Sequence, residues 1–156
     1  MKTIIQTLTA LSLAFMVSCT SNEKALKKAA EESAKTQFTA VIEEEAKGYL
    51  TQSESFKAAY ISFMAKFAEF SAEDIRMNGE TMGVTTVYIT SYPPDARKKL
   101  LKVASTVAPS VVNRFNFSDA YRLISKETGI PGEPMKYPFA TLTLKKDANG
   151  DWTVLK

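Results

Sequence analysis

Histidine is absent from the 156 residues, and cysteine occurs once, at Cys19. The first absence removes the imidazole base of serine–histidine–aspartate and cysteine–histidine catalysis, together with the usual zinc ligand sets. The second rules out an internal disulfide. No glycine-rich phosphate loop and no internal repeat is present. Chemistry is left to carboxylates, lysines, tyrosines and hydroxyls, so no catalytic residue, cofactor or metal site is expected. Neither sign of charge dominates, with 20 Lys and Arg against 17 Asp and Glu. The basic residues Lys27-Lys28, Lys98-Lys99 with Lys102, and Lys145-Lys146 are short, separate groups. They read as solvated faces rather than a phosphate track, and no nucleic-acid partner is expected. The most apolar stretch, Ile4 to Val17, is interrupted by Gln6, Thr7, Thr9 and Ser12. It falls short of the roughly 20 apolar residues that a membrane-spanning helix needs.

That stretch has the size of a signal-peptide hydrophobic region, and Lys2 is the only charge before Cys19. It ends in Phe15-Met16-Val17-Ser18-Cys19, which resembles the lipobox of bacterial lipoproteins, with Met16 at a position usually held by leucine. The resemblance implies a leader over residues 1–18, cleavage before Cys19, and a diacylglycerol on the Cys19 thiol. Two or three acyl chains make membrane attachment stable where one does not. Thr20 stands where an aspartate marks inner-membrane retention in some Gram-negative bacteria, so the same resemblance implies export to the cell envelope and an outer-membrane address. Residues 19–24 are expected to be the lipidated cysteine and a short tether, and residues 25–156 a single domain.

Helical spacing begins almost at once. Leu26, Ala30, Ala34, Phe38, Val41, Ile42 and Tyr49 recur every three or four residues among lysines and glutamates, which predicts an amphipathic helix over about 22–47, capped by Ser21 or Asn22 and closed near Gly48. Glu43-Glu44-Glu45 fan around that helix and read as a solvated face rather than an acid cluster. A second helix is expected from about Ser53 to Phe70, where Phe56, Tyr60, Phe63, Phe67 and Phe70 form one aromatic stripe. Burial stabilises each such residue by roughly 1.5–3 kcal/mol, so the stripe faces a core or an apolar cavity.

The period then changes. Asp74 to Met77, the Asn78-Gly79 turn, and the branched run from Thr81 to Thr90 predict a β-hairpin, ended at Pro93-Pro94. Pro94-Asp95 opens a third helix that ends before Pro109, and a fourth runs from Asp119 to Thr128 between a Ser118 cap and Gly129. Ile130 to Pro134 reads as a stiff loop. Tyr137 to Leu144 alternates as a strand, with Ala140, Leu142 and Leu144 on one face, and Trp152 to Leu155 returns as its partner. Asp147, Asn149 and Asp151 begin like a calcium loop but lack its glycine and distal glutamate, so a hairpin turn is expected.

The order of elements indicates an α+β domain. The closing run Phe139-Ala-Thr-Leu-Thr-Leu-Lys-Lys-Asp-Ala-Asn-Gly-Asp-Trp-Thr-Val resembles the end of the small bacterial lipoproteins with a nuclear-transport-factor-two-like, or cystatin-like, fold. The resemblance implies N-terminal helices packed on a curved antiparallel sheet; the two helices expected between about residues 94 and 129 depart from its simplest pattern and read as a helical insertion. It also implies a conical cavity, for which Tyr60, Phe63, Phe67, Arg76, Tyr88 and Tyr121 are the candidate lining. The expected function is a non-catalytic envelope lipoprotein, bound to the membrane through lipid on Cys19 and binding a small ligand or an envelope protein. The alternatives are an accessory subunit using the outer face of the first helix, and an enzyme using a carboxylate and a tyrosine in the cavity.

Overall fold

The computed structural model gives side chains for residues 21–155, so the leader expected over residues 1–18 and the attachment expected at Cys19 lie outside the described residues. The chain is α+β. Its elements run α1 (Lys2–Tyr49), α2 (Glu54–Lys66), β1 (Glu69–Asn78), β2 (Met82–Ser91), α3 (Pro94–Ser105), a short 3₁₀ helix (Pro109–Arg114), α4 (Phe117–Thr128), β3 (Met135–Lys146) and β4 (Trp152–Val154). Among the described residues the strands form one antiparallel sheet in the order β1-β2-β3-β4. The chain groups into two compact units. One comprises Met1–Ser33, Ser71–Val87 and Ala140–Lys156; the other comprises Ala34–Phe70 and Tyr88–Phe139.

No glycine precedes Gly48 and no proline precedes Pro93, so nothing in the early chain breaks a helix. Ser21 to Lys24, expected as tether, are therefore helical. Asn22 is not a cap, and its side-chain oxygen accepts from Lys146 Nζ at 2.8 Å. The buried residues of α1 and the loop after it are Leu26, Ala30, Ala34, Phe38, Ile42, Ala46 and Leu50, a strict four-residue spacing. At about 100° per residue that line drifts roughly 40° around the helix at each step. Val41, which a three-and-four spacing would include, is left exposed for this reason.

The first unit packs α1 against the hairpin. Gly83 lies so close to α1 that a methyl group there would overlap Leu26 Cδ1, and Leu26 is fully buried. Along β2 the odd residues Thr85, Val87 and Ile89 are buried, and the Thr85 hydroxyl donates to the Glu73 carbonyl at 2.7 Å. β1 is an edge strand, and the Glu31 carboxylate accepts from the Ala72 N–H at 3.0 Å. In the last hairpin Leu144 faces Val154 and Lys146 faces Trp152. Asp147 closes the turn by accepting from the N–H groups of Asn149 and Asp151 at 2.8 and 2.9 Å.

Several boundaries differ from the sequence reading. The helix expected to reach Phe70 stops at Lys66, and β1 starts at Glu69 rather than Asp74. The cause is the partner strand: β2 is ten residues long, and its backbone groups need an equally long strand across the turn. Only Gly79 of the Asn-Gly pair leaves the strand, with φ 70°. The fourth helix is capped by Asn116 rather than Ser118; the Asn116 side chain accepts from Ser118 and Asp119, which lets Phe117 join the helix as a buried residue.

A methyl group at residue 83 has nowhere to go unless Leu26 moves. Gly83→Ala should therefore destabilise the protein by about 1–3 kcal/mol, although alanine ordinarily improves a strand. In thermal unfolding of the Leu26→Ala, Gly83→Ala and double variants, the two losses should be less than additive; strict additivity would remove the assigned contact.

Candidate functional site

The charged groups buried together lie in the second unit, around Arg97. α3 carries its buried residues at Ala96, Arg97, Leu100, Leu101 and Ala104, so Arg97 sits on the apolar side of the helix. Its side chain is 4% exposed and meets Glu45 of α1, which is 16% exposed. The pairing is bidentate: Arg97 Nε donates to Glu45 Oε2 at 3.0 Å and Nη2 to Oε1 at 2.9 Å. Nη1 donates to the Tyr92 carbonyl at 2.9 Å and to the Tyr137 hydroxyl at 3.2 Å. The Tyr60 hydroxyl donates to Glu45 Oε2 at 3.1 Å, and the Phe38 ring lies 5.5 Å from the guanidinium carbon. Helices α1, α2 and α3, strand β3 and the residue after β2 each supply one polar partner.

Burial alone would lower the Arg97 pKa, but the hydrogen bonds and charge of Glu45 outweigh it and the net shift is upward. Burial raises the phenols of Tyr60 and Tyr137, with Glu45 adding to the shift and Arg97 opposing it. Tyr92 is raised by burial and by Glu133, and Tyr121 is raised to about 12 by burial, Tyr92 and Glu133.

The six residues expected to line a cavity separate into two groups. Tyr60, Phe63, Phe67 and Tyr121 come together in one packed aromatic cluster with Tyr92 and Phe117. Phe63 stacks on Tyr92 at 5.6 Å and Phe117 at 5.8 Å, and Tyr92 meets Tyr121 at 4.0 Å. Arg76 is exposed on β1, because Asp74 takes a positive φ of 53° and shifts which side of the strand is buried. Tyr88 faces away from the buried row of β2, with the Lys136 ammonium 5.1 Å from its ring centre.

A recess does exist, along the seam of α1 and α2. It offers about 180 Å³ between Phe38, Thr39 and Ile42 on α1, Ile61 and Ala65 on α2, and Ala68 and Phe70 after it, with Lys35 at its rim. Glu45 departs from the exposed face expected of the glutamate run, while Glu43 and Glu44 keep to it. Sequence reasoning missed Arg97 because it stands in Arg97-Lys98-Lys99, which reads as surface charge. Its spacing from Leu100, Leu101 and Ala104 was the available signal.

Removing one member of the ion pair strands the other in the interior, at about 3–5 kcal/mol. Arg97→Met should lose that much in denaturant unfolding, and adding Glu45→Leu should recover part of it; a loss under about 1 kcal/mol would contradict a paired interior site. The raised phenols set an alkaline limit. The unfolded chain ionises its tyrosines near pH 10, whereas the folded chain holds these four neutral. Their contribution is intact below pH 10 and is lost as pH rises through 10 towards 12 and beyond. Absorbance at 295 nm should lag behind that of free tyrosine until the protein unfolds, and full titration near pH 10 in the folded state would refute this. The chain matches no protein-family model, and neither a curated protein nor a solved structure is similar to it at a significant level.

Proposed function

We propose that this chain is a lipid-anchored lipoprotein of the bacterial envelope that binds a small ligand and catalyses no reaction. The leader over residues 1–18 is removed, and Cys19 carries the lipid that holds the protein at the outer membrane. Phe15-Met16-Val17-Ser18-Cys19 supports the anchor. The finer fold we propose is the nuclear-transport-factor-two-like, or cystatin-like, one, with α3, the 3₁₀ helix and α4 as its insertion. Two helices before an antiparallel sheet and a tryptophan-bearing final hairpin support it.

The observation that carries the binding function is the apolar recess on the α1–α2 seam. The cluster that would suit a carboxylate and tyrosine enzyme favours a structural reading instead. Both oxygens of Glu45 are engaged by Arg97, one of them also by Tyr60, and the Tyr60 ring is fully buried.

Metabolic labelling with a fatty acid should mark the wild-type chain and not Cys19→Ser; an unlabelled wild type or a labelled variant ends the anchoring reading. Native mass spectrometry of the full chain extracted from envelopes should show a retained small molecule. Ala65→Trp, which fills the recess from an exposed position, should remove it; retention in that variant places binding elsewhere.

A further inference from the structure

We propose that the α1–α2 recess takes a small anionic amphiphile, a carboxylate with an apolar tail of about six carbons, and that Lys35 Nζ binds the carboxylate. This rests on the reading above that the recess is a ligand site, and it adds the chemistry of the ligand.

The walls decide the tail. Phe38, Ile42, Ile61, Ala65, Ala68 and Phe70 present carbon only. Phe38 is fixed there, because Phe70 and Phe139 meet it edge-on, each at 5.9 Å, and Arg97 lies over its ring. A wall held this way is preformed, so the ligand does not bear the cost of ordering it. The volume of about 180 Å³ is close to the roughly 150 Å³ of an apolar cavity that admits benzene, which matches the part of the ligand held inside to one ring or a short chain.

The rim decides the head. Further along the same seam Lys47 and Lys57 are neutralised by Glu44 and Glu54 at 2.8 and 2.7 Å. Among the described residues Lys35 has no such partner: the ion pairs of α1 fall on Lys27, Lys28, Glu45 and Lys47. The Thr39 hydroxyl spends its one hydrogen on the Lys35 carbonyl at 2.9 Å, so it can accept from a ligand but not donate to it. Of the side chains lining the recess, the Lys35 ammonium is therefore the donor left to meet a ligand, and its charge selects an anion over a neutral or cationic head.

Three probes with one tail separate these contributions: hexanoate, 1-hexanol and hexylammonium, titrated into the full chain and followed by ligand-observed NMR. Hexanoate should bind saturably and about fivefold more tightly than hexanol, the range of an exposed ion pair, with hexylammonium weakest. Lys35→Gln should bring hexanoate to the level of hexanol, and Ala65→Trp should remove binding of all three. Equal binding of hexanoate and hexanol, or an unchanged Lys35→Gln, overturns the anionic assignment while the recess keeps its role if Ala65→Trp still blocks. Absence of saturable binding by any probe, or binding indifferent to Ala65→Trp, overturns the recess itself.

Discussion

The second unit is organised by the requirement that one buried guanidinium be satisfied. Arg97 is nearly inaccessible and uses Nε and both terminal nitrogens on Glu45, Tyr92 and Tyr137. A charge in that position fixes where its partners must be, because an interior ion without them is far more costly than the pair. The register of α1 follows, since Glu45 must point inward while Glu43 and Glu44 do not. The depth of α2 follows through Tyr60, and the placement of β3 through Tyr137. Hydrophobic burial supplies most of the driving force for the core around them, but it is non-directional and would tolerate several arrangements. The polar cluster selects one.

The same cluster connects packing to the α1–α2 recess. Phe38 has the guanidinium over its ring, two aromatic neighbours at its edge, and the open recess beside it. Groups packed against one another in the interior thus shape the wall of a recess one side chain away. The aromatic stripe of α2 behaves similarly: Phe63 and Phe67 close up on Tyr92 and Phe117, and empty space remains on the face of α2 that carries Ile61 and Ala65.

Much of the fold is legible in the sequence because it is encoded locally. The change from helical to alternating spacing, the start of the second helix near Ser53, Gly129 as a terminator and the Asp147 turn each depend on a few neighbouring residues. What was not legible depends on partners distant in sequence. The end of α2 is set by the length of β2, and the outward turn of Arg76 by the backbone at Asp74. Arg97 is buried because Glu45, 52 residues away, receives it. The candidate site suffered most. Four of the six proposed lining residues do meet, but whether an aromatic group surrounds a void or fills it depends on packing at the scale of a single methyl group, which residue type does not report.

One small feature of β1 bears on how copies of this protein behave when crowded together. A sheet edge offers a row of unpaired N–H and C=O groups to any passing strand. Here the Glu31 carboxylate occupies the Ala72 N–H, and the neighbouring Lys27 lies 4.0 Å from it. A second molecule zipping onto this edge would have to expel a solvated acid and bury the charge it displaced. The helix thus acts as a guard rail along this part of the strand, and a strand from another molecule meets a charged side chain there rather than an open N–H.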